Sequence, residues 1–189
     1  MLTGAVLAGG RSLRYGRNKA LEVFQGERLV DRAVGALRGF CSPVLLVAND
    51  LVPYFGVSAG LIRDIVPHQG PLGGIYTALL FSPNEWVAVR AADMPLFVPE
   101  MLVRMLSLCS GGADAVVPRL GDKYEPLFAL YHRRCIPAIA GVLEGPQRNV
   151  VSVYSKIRLN HFEEDQWRQV DPKGLSFRNV NTPEDWSDM

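Results

Sequence analysis

The sequence predicts an α/β protein: a three-layer, Rossmann-like fold with a mostly parallel central sheet. Three observations carry this prediction. Short apolar runs alternate with stretches of helical period from Leu2 to Pro118, the pattern of strands joined by crossover helices. Several of those runs end in glycine, asparagine or aspartate, the residues expected where strands open onto a binding crevice. The 189 residues, 48% hydrophobic and 21% charged, suit one soluble core of ordinary size.

The elements follow in chain order. Leu2 to Ala8 is an apolar run closed by Gly9-Gly10, as expected of a buried strand opening into a backbone-lined loop. Leu21 to Phe24 reads as a short extended piece before a turn at Gln25-Gly26. From Glu27 to Phe40, apolar Leu29, Val30, Ala33, Val34 and Leu37 recur at helical spacing, predicting an amphipathic helix. Val44 to Ala48 supplies the next strand, with Asn49-Asp50 at its end. Leu61 to Val66 is a strand, Gly70 to Leu80 a helix, and Trp86 to Ala91 a strand ending at Asp93-Met94-Pro95. Pro99 to Leu108 is a helix with its proline in the first turn, and Ala113 to Pro118 another strand.

The remainder is less regular. Leu120 to His132 reads as a polar loop or hairpin leading into an apolar strand, Arg134 to Leu143 as a helix despite Pro137, and Asn149 to Ile157 as a short capped helix. Phe177 to Trp186 reads as a strand, a polar turn and a helix with Thr182 as N-cap. Internal repeats and low-complexity linkers are lacking, so residues 1–189 are expected to form a single domain.

Composition narrows the function. A formal charge of +1 gives no reason to expect a nucleic-acid polymer as partner. No apolar run reaches the length of a membrane span, and the N-terminal run gives way to Gly9-Gly10 too early for a signal peptide; a cytoplasmic location is expected. Cys41, Cys109 and Cys135 stand apart among apolar residues and read as buried thiols. His68, His132 and His161 form no closely spaced cluster with them, which argues against structural zinc. His68 reads as loop surface, Trp86 and Phe97 as packing beside the sheet, and Glu163-Glu164-Asp165 as a solvated face.

The glycine-rich loop carries the first chemical signal. Glycines directly after a strand let backbone amides approach an anion without a Cβ in the way. Arg11, Arg14, Arg17 and Lys19 would add positive charge around a polyphosphate. Lys19 is followed by Ala20, so this is not a P-loop, and Gly9-Gly10-Arg11 is not the dinucleotide fingerprint. The loop suits a nucleoside triphosphate, with Lys19 placed to neutralise α-phosphate oxygens. Asp93, at a strand end, supplies the other half: a carboxylate able to hold Mg²⁺. Asp64 and Asn49 occupy further strand ends, where each is either a base or ribose contact or an ordinary turn former.

The segments LAGGRSLRYGRNKAL, RDIVPHQGPLGG, AADMPL, YEPLFALY and NVNTPED together resemble the molybdenum cofactor guanylyltransferases, within the dinucleotide-fold nucleotidyltransferases. The resemblance spans nearly the whole chain. It implies transfer of GMP from GTP to the terminal phosphate of molybdenum-molybdopterin, releasing pyrophosphate, with Mg²⁺ as cofactor. On the matching motifs, Leu7, Ala8, Gly9 and Gly10 would contact the nucleotide, Lys19 its phosphates, Asn49 and Asp64 guanine and ribose, and Asp93 both Mg²⁺ and GTP. Asn179 and Asn181 would help place the pterin, with Arg119, Lys123, Tyr124 and Glu125 on a loop facing the same side. The N-terminal half would mainly bind GTP and the C-terminal half contribute to molybdopterin binding. A molybdoenzyme chaperone or apoenzyme is the partner implied, and a monomer or weak homo-oligomer the assembly. The rival readings are a cytidylyltransferase acting on the same pterin, a sugar-1-phosphate nucleotidyltransferase, and a nucleotide-binding module that delivers cofactor without catalysis.

Overall fold

The computed structural model describes residues 1–8 and 18–180. Strand β1 (Leu2–Leu7) precedes a hairpin of β2 (Val23–Phe24) and β3 (Glu27–Arg28), then α1 (Leu29–Arg38), β4 (Val44–Ala48) and β5 (Gly60–Arg63). Helix α2 (Gly70–Phe81), β6 (Trp86–Ala91) and α3 (Pro99–Ser107) follow, then β7 (Ala115–Leu120), β8 (Lys123–Tyr124) and β9 (Phe128–His132). Helices α4 (Ile136–Glu144) and α5 (Val151–Tyr154), strand β10 (Leu159–Phe162) and helix α6 (Glu164–Trp167) complete the regular elements.

The main sheet runs β10-β7-β9-β6-β1-β4-β5, with β8 paired to β7. The β5-β4-β1-β6 portion is parallel, as is β7-β10, whereas β9 is antiparallel to both its neighbours. Period-two alternation divides the side chains between two apolar layers. Val6, Ala88, Leu130 and Val116 face α1 and α3, where they meet Val34, Leu37, Met101 and Met105. Ala5, Val89, Tyr131 and Val117 face α2 and α4, against Ile75, Leu79, Ile139 and Val142. This is the predicted three-layer α/β arrangement.

Local chemistry sets the boundaries. The Gln25-Gly26 turn has φ of 51° and 84°, left-handed at both positions, which matches the twist of a two-residue hairpin. Strand β5 stops at Arg63, short of the expected Val66, because the Asp64 carboxylate accepts the Val66 amide at 3.0 Å and bends the chain. Pro137 lies in the first turn of α4, where its missing N–H costs nothing.

One expectation needs correction. Phe177 does not open a strand: Leu175–Phe177 is a 3₁₀ turn, held because Asp171 accepts the amides of Leu175 and Ser176 at 2.9 and 2.8 Å. The helix expected near Pro183 lies outside the described residues. Strand β10 was not expected, since Leu-Asn-His-Phe lacks a continuous apolar run. Glu163-Glu164-Asp165, read as a solvated face, caps α6: Glu163 and Gln166 form a capping box.

At the amino end of β7 the buried Asp114 carboxylate binds Arg134 Nε at 2.7 Å and Arg158 Nη2 at 3.1 Å. Burial alone would raise its pKa, but the hydrogen bonds from Arg158 and Arg134 outweigh burial and hold it well below the ordinary carboxylate range. A depressed folded-state pKa stabilises above the unfolded value of about 3.9 and is lost as the pH falls below it. Asp114→Asn should therefore lower the urea midpoint at pH 7 and flatten its fall below about pH 4, as pH-dependent urea titrations of both proteins would reveal.

Candidate active site

Strand β1 lies at the point where the chain reverses its order across the sheet. From β1 the chain crosses by way of α1 to β4 and on to β5; α2 then returns it to β6 on the other side of β1. Connections that diverge from neighbouring parallel strands leave a crevice beyond their carboxyl ends. Here the crevice is a cleft of about 430 Å³, within the usual range for small-molecule sites.

Its floor is Leu7 and Ala8 from β1 and Ala91 and Ala92 from β6, locked together by the Ala92 amide donating to the Leu7 carbonyl at 3.1 Å. Asn49 enters from the end of β4, Gly70 and Pro71 from the start of α2, and Leu127 from the start of β9. Lys19 and Asp93 face each other with Nζ and Oδ2 3.5 Å apart. Their side chains are 20% and 33% exposed, so both are within reach of a ligand. The Asn49 Oδ1 is buried without a hydrogen-bond partner among the described residues, an acceptor suited to an N–H group of a bound molecule.

Five predicted residues therefore converge: Leu7, Ala8, Lys19, Asn49 and Asp93. Asp64 is placed otherwise and does not line the cleft. Its Oδ1 accepts from Thr77 Oγ1 at 2.7 Å and from the Val66 amide, tying the end of β5 to α2. Asn179 is exposed outside the cleft, but the adjacent Val180 amide donates to the Asp93 carbonyl at 2.9 Å, which brings residues 179 and 180 close to Asp93 in the fold. Gly9, Gly10, Arg14 and Asn181 lie outside the described residues.

The segment GPLGG now has a packing reason. Gly70 adopts φ of +62°, a conformation favoured by glycine. A Cβ on Gly73 would lie 2.6 Å from the Val66 carbonyl oxygen, and one on Gly74 3.2 Å from the Leu7 side chain. Both glycines let α2 press against the strand ends that frame the cleft.

Sequence reasoning missed Tyr54. It is only 1% exposed, and its hydroxyl donates to the Ala8 carbonyl at 3.0 Å while accepting from Asn18 Nδ2 at 2.9 Å. One oxygen thus ties together the two described residues that flank the glycine-rich segment. No periodicity distinguishes this tyrosine from a core aromatic. His68, expected on loop surface, is exposed yet lines the cleft, with φ of +65°. It also lines a neighbouring groove of about 440 Å³ bounded by Pro126, Arg148 and Val151.

Asp93 offers one hard oxygen ligand, and among the described residues no group of three or more His, Cys, Asp or Glu side chains is placed to enclose a metal. A single carboxylate in an open cleft fits the way Mg²⁺ is commonly held, through one or two protein carboxylates with waters and substrate phosphates completing its shell. Glu125 stands further back and accepts the Leu127 amide at 3.0 Å. Burial first, opposed by that hydrogen bond, and then the nearby charge of Asp93 raise its pKa.

Residues 4–159 match the MobA-like NTP transferase domain. The molybdenum cofactor guanylyltransferase of Desulfosudis oleivorans is 34% identical over 97% of this chain and 92% of its own length. The chain belongs to the molybdenum cofactor guanylyltransferase family. A probable molybdenum cofactor guanylyltransferase of Pelotomaculum thermopropionicum is 37% identical over 97% of this chain and 89% of its own. Among solved structures, the molybdopterin-guanine dinucleotide biosynthesis protein A of Archaeoglobus fulgidus superposes with a TM-score of 0.84 at 26% identity, covering 98% and 95% of the two chains. Membership of this guanylyltransferase family makes the chain a nucleotidyltransferase. Among the described residues no helix is long and apolar enough to cross a membrane.

Gly73→Ala tests the framing of the cleft, because a backbone carbonyl cannot swing aside as a flexible side chain can. The substitution should destabilise the protein by about 1–3 kcal/mol through overpacking, measured by urea unfolding, whereas Gly35→Ala, with nothing within 4 Å of its added Cβ, should not.

Proposed function

We propose that the protein transfers GMP from GTP to the terminal phosphate of molybdenum-molybdopterin, giving molybdopterin guanine dinucleotide and pyrophosphate. The observation that carries this reading is the Lys19–Asp93 pair, 3.5 Å apart, in a cleft at the switch point of the sheet. Leu7, Ala8, Gly9 and Gly10 contact the nucleotide, Arg14 adds charge beside its phosphates, and the Asn49 Oδ1 accepts from the guanine edge. Asp64 acts through the loop that it braces. Asn179 and Asn181 help place the pterin. In this division the N-terminal half of one domain binds GTP and the C-terminal half completes the pterin surface.

The chemistry follows from charge. A pterin phosphate oxygen attacks the α-phosphorus as the bond to the bridging oxygen of the pyrophosphate breaks. A phosphate monoester is already largely ionised near neutral pH, its second pKa being about 6, so no dedicated base is required. Lys19 draws the α-phosphate oxygens into line and neutralises the charge they gather as the fifth bond forms. Asp93 would hold Mg²⁺, which supplies charge neutralisation for the phosphates and the leaving pyrophosphate. The apolar floor of Leu7, Ala91 and Ala92 excludes water that would compete as acceptor.

The protein is proposed to act in the cytoplasm as a monomer or weak homo-oligomer and to pass its product to a chaperone or apoenzyme. Pyrophosphate release tests the assignment: it should require GTP, molybdopterin and Mg²⁺ together, and should persist with CTP in place of GTP only if the enzyme is a cytidylyltransferase. Lys19→Ala and Asp93→Ala should each lower kcat on the order of 100-fold or more; wild-type turnover in both would sink the proposed roles. Tyr54→Phe removes one oxygen and leaves the ring in the core. It should weaken GTP binding by about 3- to 10-fold in calorimetric titration with little change in kcat.

A further inference from the structure

Strand β6 places one residue where hydrocarbon is expected. Ala88 and Arg90 share the face of the sheet that packs on α1 and α3, and Arg90 has no exposed surface at all. Its guanidinium lies between two rings, Cζ being 5.0 Å from the centroid of Phe97 and 5.3 Å from that of Phe128. Nη2 donates to the Met94 carbonyl at 2.6 Å and to the Leu96 carbonyl. Nε and Nη1 have no partner among the described residues. A buried cation without a hydrogen-bonded carboxylate is costly, and an unbranched apolar side chain would fill the same slot between the rings without that cost. Burial pushes the guanidinium pKa down to about 9, opposed by the charge of Asp93.

What hydrocarbon cannot do there is grip the turn that follows Asp93. Asp93 stands between Ala92, whose amide is bonded to Leu7, and Met94, whose carbonyl is bonded to Arg90. The Val180 amide holds the Asp93 carbonyl itself. Two bonds fork from Arg90 Nη2 to the Met94 and Leu96 carbonyls and so fix the turn from the core side, while the charge of Arg90 and that of Asp93 attract.

We propose that Arg90 is a positioning residue for nucleotidyl transfer: its buried guanidinium fixes the Met94-Pro95-Leu96 turn, and with it the direction of the Asp93 carboxylate. The inference rests on the reading of Asp93 as the carboxylate that holds the divalent cation. Arg90 never touches substrate; it acts through the backbone and the field at Asp93. Loss of the fork leaves the aromatic slot intact but lets the carboxylate drift, and misplacement by about 1 Å is enough to cost on the order of 100-fold in rate.

The test uses the full chain with Mn²⁺ as a paramagnetic probe, its binding in the presence of GTP followed by electron paramagnetic resonance, alongside thermal unfolding and pyrophosphate release. Arg90→Met should retain or raise Tm, weaken Mn²⁺ binding about 10-fold and lower kcat on the order of 100-fold, with a smaller change in the KM for GTP. Arg90→Lys keeps a charge but loses the fork, and should recover Mn²⁺ affinity more than kcat. Wild-type Mn²⁺ binding and kcat in folded Arg90→Met overturn the proposal; if that variant does not fold, the same result in Arg90→Lys overturns the requirement for the fork. Asp93→Asn separates the two readings. Mn²⁺ binding lost in Asp93→Asn but intact in Arg90→Met removes the role of Arg90 alone, whereas binding intact in Asp93→Asn removes the reading of Asp93 and the role of Arg90 with it.

Discussion

The parallel pairing of β1 with β6 is the constraint on which the rest of the site depends. Its register sets Leu7 opposite Ala91, and the Ala92 amide continues the ladder by one bond to the Leu7 carbonyl. The two charged side chains that meet in the cleft, Lys19 and Asp93, are reached from those two strand ends. Ala8 leads towards Lys19, with Tyr54 holding the flanks of the connection, and Ala92 leads to Asp93. A shift of one residue in this pairing would turn Val6 and Val89 towards the wrong layers, so the same burial that stabilises the sheet also fixes the distance between the two halves of the cleft.

The aspartates at strand ends show how similar sequence signals acquire different work. Asp64 follows β5 and spends its carboxylate on Thr77 and the Val66 amide. Asp93 follows β6 and keeps a side chain one-third exposed, ion-paired with Lys19 at 3.5 Å. The difference lies in what packs nearby. Helix α2 approaches the end of β5 so closely that Gly73 has no room for a Cβ, which supplies Asp64 with a partner. The turn around Asp93 is held through its main chain, by the Arg90 side chain at the Met94 carbonyl and by the Val180 amide at the Asp93 carbonyl, so its carboxylate is left to face Lys19 in the cleft. Asp114, at the opposite edge of the molecule, is committed to two arginines and to stability.

These contrasts explain what was legible in the sequence. Strands β1, β4 and β6 and helices α1 to α3 are readable because each is a sustained apolar run or a helical stripe; the cleft positions of Asn49 and Asp93 are readable because they stand at strand ends, and that of Lys19 because it closes the basic glycine-rich segment. Asp64 carried the same signal, yet its proximity to Thr77 is a property of packing between elements far apart in the chain. Tyr54 and Arg90 were opaque for the same reason: their partners, Ala8 and Asn18 for one and Met94, Leu96, Phe97 and Phe128 for the other, are recognisable only once the sheet has formed. Strand β10 escaped because an edge strand with intermediate burial carries no strong apolar run. Phe177 misled because its apolar neighbours serve a turn organised by Asp171.

The reversed strand β9 accounts for how so short a chain makes a two-sided cleft. Four parallel strands place only their carboxyl ends at the crevice. Because β9 runs antiparallel between β6 and β7, its beginning reaches the same end, bringing Glu125-Pro126-Leu127 beside the ends of β1 and β6. The Leu127 carbonyl accepts the Ala91 amide at 2.9 Å, so this second wall is registered against the first by a ladder bond. Pro126 on the wall also borders the neighbouring groove, and His68 borders groove and cleft together. Reversal of one strand therefore joins the cleft to a groove whose two sides come from distant parts of the chain, residues 68–72 on one and Pro126 with residues 148–151 on the other.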